Sequence, residues 1–260
     1  MFLFNHSHED SEHAAKNGSP TERRGKPRYP VSPLFQATAT LTVERGDVSR
    51  LTASGPVQGS NWKCRLLDCS EQGVRVQLEP PYKIPAGELR DLRLKVPEFG
   101  LSVPCRIANL NEPANGAIFG LMLDFDSEAA FDAYWQLLEV VVLGSSLKLH
   151  TKTIKPDESG YFVEHYECSR PARLSIWRHP HNQEISAFEF RLKRQVARAI
   201  VGRHLECMLA PGDSPVPPAM KVEIQRLFSW IASNLSPTLP LDVREVLQQY
   251  TVALAEEGGS

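Results

Sequence analysis

The stretch KCRLLDCSEQGVRVQL, residues 63–78, has two short segments of strand-forming residues on either side of a compact polar connection. Segments 63–68 and 74–78 predict two β-strands, because each is bounded by turn-forming residues. The connecting residues 69–73, CSEQG, predict an exposed turn whose glycine supplies a positive φ angle. We therefore expect a β-hairpin at this point of the chain.

Strand signals continue on both sides of this hairpin. Leu89, Leu92, Leu94 and Val96 largely alternate with charged residues, which is typical of a half-buried strand. Six strands of similar length, separated by turns, favour a small closed antiparallel barrel over an open sheet with bare edges. The predicted strands cover residues 34–43, 63–68, 74–78, 89–96, 101–107 and 117–125.

A helix is predicted to follow the last of these strands and to cover the barrel. Ser127 is a suitable N-cap, and Glu128 adds an acidic side chain to the first turn. Apolar side chains then recur at the spacing of one helix face. They are Phe131, Tyr134, Trp135, Leu138 and Val142.

The second half of the chain predicts further strands and then two helices. Pro180-His181-Asn182 is the clearest turn between two of the strands. The overall fold class is thus α+β: an N-terminal six-stranded antiparallel β-barrel with a covering helix, then an α+β C-terminal region. The strands of this region are predicted over residues 161–166, 172–177, 185–192 and 196–201, and the helices near 219–235 and 242–255.

We expect the chain to divide into three parts. Residues 1–20 are polar after Phe4 and predict a mobile tail, whose histidines have no fixed scaffold for a metal ion. The run Gly144-Ser145-Ser146 indicates a boundary between two folded parts. The predicted parts are the tail at 1–20, the barrel at 21–144 and a C-terminal output or interaction domain at 147–260.

Composition excludes several classes of protein. The 29 Lys and Arg nearly balance the 31 Asp and Glu, so a protein that coats nucleic acid along its whole surface is not expected. No run of about 18 apolar residues occurs, which argues against a membrane-inserted helix. The start of the chain lacks the pattern of a secretory signal. Five cysteines without paired spacing fit a reducing compartment, so we expect a cytoplasmic protein.

Two short motifs carry the functional signal. Arg24 and Arg28 form an Arg-x-x-x-Arg motif just before the first strand, and Asp68, Ser70 and Gly73 form an Asp-x-Ser-x-x-Gly motif in the hairpin. Each motif alone also fits an ordinary feature, namely a solvated basic linker and a polar turn. Their order on a small β-barrel makes the pair informative.

Together, these motifs resemble the PilZ family over roughly residues 22–143. The resemblance implies a bacterial receptor for the second messenger cyclic di-GMP, with Arg24, Arg28, Asp68, Ser70 and Gly73 as ligand-binding residues. The interval between Arg28 and Asp68 is longer than is usual in the family, through a predicted polar loop at 46–60. The resemblance does not extend to the C-terminal region.

The chemistry of the ligand matches these residue types. An arginine guanidinium can grip phosphate or guanine acceptors with two hydrogen bonds and can stack on a base, which lysine cannot do. Asp68 can accept hydrogen bonds from guanine N–H groups, and Ser70 can reach phosphate or base. Pro27 favours an extended segment, which can fold over the ligand. Arg23 adds a third guanidinium, which would favour two intercalated ligand molecules over one.

No catalytic residues, metal site or cofactor are predicted, so we expect a receptor and not an enzyme. His179 and His181 are two residues apart, but only Glu184 is near them in sequence, which leaves a metal set incomplete. No nucleophile elbow or phosphate-binding glycine loop occurs. We expect ligand binding to change how the C-terminal region is placed against the barrel, and an unidentified protein partner to bind that region.

Two alternative functions stay open. Residues 170–206 contain eight basic residues and three glutamates, a local charge of +5, with interleaved aromatic residues. One interpretation is a DNA-binding protein regulated by cyclic di-GMP. The plainer interpretation of this stretch is a sheet with one solvated charged face. The other alternative is a PilZ-type module that binds a protein without the dinucleotide.

Overall fold

The computed structural model of the 260-residue chain describes residues 26–43, 61–78, 92–111, 117–211 and 214–257. The first of its two sheets has seven strands among these residues. They are β1 (Tyr29–Pro30), β2 (Ala39–Val43), β3 (Asn61–Ser70), β4 (Gly73–Leu78), β5 (Leu92–Val96), β6 (Leu101–Asn111) and β7 (Ile118–Leu123).

Six of these strands close into an antiparallel barrel. Their order is β3-β2-β5-β6-β7-β4, and β4 pairs again with β3, so the ring has no free edge. In β5, Leu92, Leu94 and Val96 are buried while the residues between them are partly exposed, as the alternating pattern predicted. The predicted six-stranded barrel is confirmed. Leu89, the predicted loop at 46–60 and the predicted tail lie outside the described residues.

The segment predicted as one strand over 34–43 becomes a strand only at Ala39, because its start lies in a turn at residues 32–35. The carbonyl oxygen of Ser32 accepts a hydrogen bond from Phe35 N at 3.0 Å, and its hydroxyl accepts one from Leu34 N at 3.1 Å. Serine favours turns because its hydroxyl can satisfy a nearby backbone donor in this way. The chain therefore forms the short strand β1 against β3 and begins β2 only at Ala39.

Helix α1 (Glu128–Ser146) covers the barrel, as predicted. Ser127 is its N-cap, and the Ser127 hydroxyl accepts a hydrogen bond from Ala130 N at 3.2 Å. The buried surface of α1 is wider than the predicted stripe, because a second helix packs on the side away from the barrel. Phe131 lies at the exposed edge instead. The buried residues are Ala130, Ala133, Tyr134, Leu137, Leu138, Val140, Val141, Val142, Leu143 and Gly144.

Helix α1 continues through the glycine-serine run that the sequence analysis interpreted as a boundary. Gly144 is inside the last turn, and the helix ends at Ser146. The glycine is required by packing, since a Cβ atom there would lie 2.8 Å from the carbonyl oxygen of Asn234 and 2.9 Å from that of Ile231. The predicted division of the chain into 21–144 and 147–260 stays a prediction.

The second sheet is an antiparallel meander in which each strand pairs with the next one along the chain. The seven strands are β8 (Lys148–Lys152), β9 (Phe162–Glu167), β10 (Ala172–Arg178), β11 (Ile185–Leu192), β12 (Gln195–Ile200), β13 (Glu206–Leu209) and β14 (Ser214–Pro215). The four predicted strands are present, and Pro180-His181-Asn182 lies in the turn between β10 and β11. The sequence analysis missed β8, β13 and β14, which are short, and every residue of β8 is exposed.

Two predicted helices, α2 (Pro218–Ser233) and α3 (Leu241–Glu257), pack on the apolar face of this sheet. The Phe188 ring stacks on Phe228 of α2 with centroids 5.6 Å apart and meets Tyr250 of α3 edge-on at 5.0 Å. Helix α2 also packs against α1, so one apolar core runs from the barrel to the second sheet. The predicted α+β fold class is confirmed.

Candidate ligand-binding site

The pairing of β1 with β3 brings the two sequence motifs together. Tyr29 lies opposite Cys69 and Pro30 opposite Asp68. A β-bulge at Leu67 interrupts the pairing of β3 with β4, and the Leu67 carbonyl oxygen accepts a hydrogen bond from Val31 N at 2.9 Å. Arg28, which immediately precedes β1, is thereby held beside the end of β3 although 40 residues separate it from Asp68.

Asp68 and Ser70 are buried strand residues: Asp68 lies in the predicted strand, whereas the exposed turn predicted for Ser70 is wrong. They end β3 with exposures of only 3% and 5%, so the connection to β4 is just Glu71-Gln72. Asp68 lies in register with Arg75 on the outer surface of the barrel, where β1 covers it. Its burial therefore comes from a long-range strand pairing that the local sequence does not reveal.

Two arginines bind the Asp68 carboxylate. Arg28 Nη1 donates to Asp68 Oδ1 at 2.6 Å, and the guanidinium of Arg75 donates to Oδ2 through both Nε and Nη2. Both arginine side chains are partly exposed, at 32% for Arg28 and 44% for Arg75. These bonds satisfy a buried carboxylate that would otherwise be costly to desolvate.

The β3–β4 hairpin is fixed from inside by Tyr134 of α1. The Tyr134 hydroxyl donates to the carbonyl oxygen of Ser70 and lies 3.0 Å from that of Gly73, which also accepts from the Ser70 hydroxyl at 3.1 Å. Burial raises the pKa of Tyr134 well above its ordinary value, so the phenol keeps its proton. The covering helix thus holds the second motif in place.

Gly73 is needed for a close contact and not for a positive φ angle. Its φ angle lies outside the left-handed region, so the expected turn geometry is wrong. A Cβ atom on Gly73 would instead lie 2.1 Å from the backbone carbonyl oxygen of Leu121 in β7. Since β4 pairs with β7 in the closed barrel, only glycine fits this position without a backbone shift.

Residues of both motifs line a shallow groove with a volume of about 420 Å³. The groove brings together Arg28, Ser70 and Gly73 from the sequence prediction, and Asp68 lies beside it under Arg28. Arg23 and Arg24 lie outside the described residues. The lining consists of Lys26, Arg28, Ser70, Gln72, Gly73, Ala108, Leu121 and Met122.

Several residues of this site were missed by the sequence analysis. Arg75 is two residues beyond Gly73 in an alternating strand, where it was indistinguishable from any solvated arginine. Tyr134 was predicted only as part of the apolar face of a helix. Lys26, inside the arginine motif, forms an ion pair with Glu71 of the hairpin. Long-range contacts bring these side chains to one place: β3 pairs with β4 at Arg75, β1 pairs with β3 near Lys26, and α1 places Tyr134 against the hairpin.

A contact between the barrel and the C-terminal region lies close in sequence to the arginine motif. Asn234, the C-cap of α2, is buried; its Oδ1 accepts a hydrogen bond from Ser32 N at 2.7 Å, and its Nδ2 donates to the carbonyl oxygen of Val141 in α1 at 3.1 Å. Phe99 of the barrel also stacks on Trp230 of α2, with ring centroids 4.1 Å apart. The segment that follows Arg28 is therefore bonded directly to the end of α2.

The basic residues of the second sheet largely form ion pairs with neighbouring acids. Arg178 is buried between Glu164 and Asp242, and the other pairs lie on the outer face. This arrangement supports the solvated charged face that the sequence analysis gave as the plainer interpretation. The outer pairs are Arg173–Glu167 at 2.8 Å, Arg191–Glu189 at 2.9 Å and Arg198–Glu206 at 3.0 Å.

Neither a metal-binding cluster nor a membrane-spanning helix occurs among the described residues. His179 packs against the Tyr161 ring, and no described cluster of three or more His, Cys, Asp or Glu side chains could hold a metal ion. None of the helices in the described part of the chain is long and apolar enough to cross a lipid bilayer.

Comparison with known proteins assigns the N-terminal part to a family. Residues 22–139 match the family model for the PilZ domain, whereas no curated protein matches the chain. The chain is similar to the PilZ domain with c-di-GMP of YcgR from Escherichia coli, at 15% identity and a TM-score of 0.34, over 46% of this chain and 92% of that one. It is also similar to YcgR in complex with c-di-GMP from Escherichia coli, at 13% identity and a TM-score of 0.30, over 45% of each chain.

A third similar structure is MrkH, described as a c-di-GMP-dependent transcription regulatory factor. Its identity is 15% and its TM-score 0.32, over 47% of this chain and 52% of that one. The match thus spans about half the length of the longer YcgR chain and of MrkH. The family match covers the arginine motif, the barrel and most of α1. By this match, residues 22–139 of the chain resemble a PilZ domain.

Proposed function

We propose that this chain is a non-enzymatic receptor for cyclic di-GMP that acts in the bacterial cytoplasm. One observation carries the proposal: Arg28 from the first motif meets Asp68, Ser70 and Gly73 from the second at a groove on the outer surface of a PilZ barrel. The ligand-binding residues would be Arg23, Arg24, Arg28, Asp68, Ser70 and Gly73.

The groove suits a dianionic ligand with flat bases. Lys26 and Arg28 supply positive charge at its rim, and Ala108 and Met122 supply small or apolar surface for a guanine face. Gly73 lines the groove and carries no side chain that could project into it. In this arrangement arginine binds phosphate or the guanine acceptors, while Asp68 receives guanine N–H donors.

Isothermal titration with cyclic di-GMP tests the assignment. We expect saturable binding by the unaltered chain and strongly weakened binding by the Arg28→Ala, Ser70→Ala double variant. Arg65→Ala is a matched control, because Arg65 also lies on the outer surface of β3 but is bonded to Gln77. Failure of the unaltered chain to bind would favour the ligand-independent interaction module.

Calorimetry would also give the stoichiometry: we expect two ligands per chain, and a lower ratio for Arg23→Glu.

We further propose that ligand binding is transmitted to the C-terminal region, where a protein partner binds. Two contacts support this route: Ser32, four residues after Arg28, is bonded to Asn234 of α2, and Tyr134 joins the ligand-binding hairpin to α1. A ligand can shift the arrangement of these helices only if it binds two arrangements with different affinity. Hydrogen exchange with and without cyclic di-GMP tests the route, and protection of α2 is the expected result.

The DNA-binding alternative has less support. The basic residues on the outer face of the second sheet have acidic partners, which reduces the field that they could present to phosphates. A gel-shift experiment with and without cyclic di-GMP separates the two functions: a ligand-dependent shift would favour the DNA-binding protein.

A further inference from the structure

The Asp68 carboxylate is bonded on both of its oxygens before any ligand arrives. Arg28 occupies Oδ1, and Arg75 occupies Oδ2 with two of its nitrogens. A guanine presents N1–H and the exocyclic N2–H side by side, a donor pair that matches the two oxygens of one carboxylate. The arginines already make three of the roughly four hydrogen bonds that a carboxylate can accept, so Asp68 can receive that pair only if at least one arginine bond is released.

The two arginines are held by the backbone in different ways. Arg75 is the third residue of β4, which pairs with β3 on one side and β7 on the other inside a closed ring. Arg28 precedes β1, a strand of two residues whose one partner among the described strands is β3. A movement of Arg28 therefore disturbs few backbone contacts. The backbone of Arg75, in contrast, is fixed by the strand pairing of the barrel.

We propose that Arg75 is a positioning residue that orients the Asp68 carboxylate toward guanine, while the Arg28–Asp68 ion pair is exchanged when the ligand binds. This inference rests on the proposed function and adds an order of events to it. In the ligand-free protein Arg28 occupies the place of the base edge. The guanine donors replace Arg28 on Asp68, and the released guanidinium binds the phosphate or the guanine acceptors. Arg75 stays on Oδ2 and keeps the carboxylate ionised and in place.

The Asp68 carboxylate, held by Arg75, would also select guanine over adenine. Adenine has no paired N–H donors at the corresponding edge, since its N1 is an acceptor. Cyclic di-AMP would place that acceptor against a carboxylate oxygen and leave a buried charge poorly satisfied. Discrimination between cyclic di-GMP and cyclic di-AMP should thus depend on Arg75, although Arg75 does not line the groove.

Titration of Arg75→Leu, Arg75→Lys and Arg65→Leu with both dinucleotides tests this inference. We expect Arg75→Leu to lower the affinity for cyclic di-GMP by about tenfold, because Asp68 loses the charge-assisted hydrogen bonds from Arg75. The same variant should discriminate less strongly against cyclic di-AMP. Arg75→Lys should recover part of the loss, and Arg65→Leu should bind like the unaltered chain. Thermal melting of each variant checks that the barrel is folded.

A double-mutant cycle distinguishes positioning from a general effect on structure. In an Asp68→Asn background, Arg75→Leu should have little further effect on affinity, since the residue it positions no longer carries a charge. An undiminished effect there, or normal affinity of Arg75→Leu alone, would overturn the inference while leaving the receptor function intact. A complete lack of binding by the unaltered chain would contradict the receptor function, and this inference with it.

Discussion

Ser32 and Asn234 lie 202 residues apart in the chain and are joined by a hydrogen bond of 2.7 Å. Ser32 follows β1, the strand that holds Arg28 against Asp68, and Asn234 caps the end of α2. The same Asn234 side chain also bonds the carbonyl oxygen of Val141 in α1. One buried amide therefore joins the ligand-binding segment, the helix that covers the barrel and the first helix of the C-terminal region.

Removing this amide should uncouple the two regions. We expect Asn234→Ala to lower the free energy of unfolding by about 2 kcal/mol, because it leaves a buried donor and a buried acceptor unpaired. Ligand affinity should change little, but protection of α2 from hydrogen exchange on addition of cyclic di-GMP should disappear. Ser233→Ala is the control, since the Ser233 hydroxyl bonds only within α2, to the Trp230 carbonyl oxygen, among its described contacts. Full ligand-induced protection of α2 in Asn234→Ala would contradict the proposed route.

The arginine motif should matter for binding and little for folding. We expect Arg24→Ala and Arg28→Ala each to cost roughly 1–3 kcal/mol of binding free energy, or about five- to a hundredfold in affinity. Arg28→Ala should lower the melting temperature only modestly, because Arg75 still binds the Asp68 carboxylate. Calorimetry and thermal melting measure the two effects. Normal binding by the Arg24→Ala, Arg28→Ala double variant would refute the site.

Gly73→Ala should destabilise the barrel through a backbone collision. The added methyl group would lie 2.1 Å from the Leu121 carbonyl oxygen, and the closed ring cannot open to admit it. We expect a loss of about 3 kcal/mol, at the upper end of typical overpacking costs. Gly100→Ala is the comparison: its surroundings are open, and its left-handed backbone should cost only about 1–2 kcal/mol. Denaturant unfolding gives both values, and an equal loss in the two variants would refute the close-contact explanation.

Tyr134→Phe should loosen the ligand-binding hairpin while keeping the packing of the ring. The variant removes the donor to the carbonyl oxygens of Ser70 and Gly73, at an expected cost of about 1–2 kcal/mol in unfolding free energy. Affinity for cyclic di-GMP should fall as well, because the same hairpin carries the second motif. Tyr161→Phe, in the second region, serves as the control. Unchanged stability and affinity in Tyr134→Phe would show that the hydroxyl does not hold the hairpin.

The ion-pair cluster of Arg178, Glu164 and Asp242 should make the protein sensitive to acid. Burial by itself would raise the pKa of Glu164 and of Asp242, but hydrogen bonds from Arg178 to both, and from Tyr166 to Glu164, outweigh it and lower both pKa values. Each lowered pKa contributes stability that is complete above the ordinary values of 4.5 and 3.8 and is lost as the pH falls through the folded-state values.

Melting temperatures measured between about pH 7 and pH 3 check this dependence. We expect the fall below the ordinary pKa of Glu164 to be smaller in Asp242→Asn, which has one fewer carboxylate to protonate. Glu158→Gln, an exposed site before β9, should behave like the unaltered protein. An identical acid profile for Asp242→Asn would exclude Asp242 from the acid response.

The barrel and its motifs could be predicted because their signals are local. The alternation of Leu92, Leu94 and Val96 follows from the geometry of a strand with one buried face. Ser127 identified the start of α1 through a capping bond between residues three apart. The hairpin was equally local, although its connection is shorter than predicted.

The chemistry of the site depended on long-range contacts and could not be predicted in detail. Asp68 is buried because β1 pairs with β3 beside it, and no sequence pattern near Asp68 reveals that pairing. Glycine at position 73 satisfies either a positive φ angle or a close contact, and the sequence alone does not distinguish these reasons. Arg75 gained its role only from its register opposite Asp68.

The close approach of α1 to the end of α2 at Gly144 limits which fragments of this protein can be produced. A recombinant piece that stops at residue 144 would lack the last two residues of α1 and the α2 surface against which that glycine lies. Val141 would lose the hydrogen bond that Asn234 donates to its carbonyl oxygen, and the surface of α1 that packs on α2 would be exposed, which promotes aggregation. The PilZ domain is therefore best produced together with the C-terminal region, and binding measured on a shortened form would describe a different molecule.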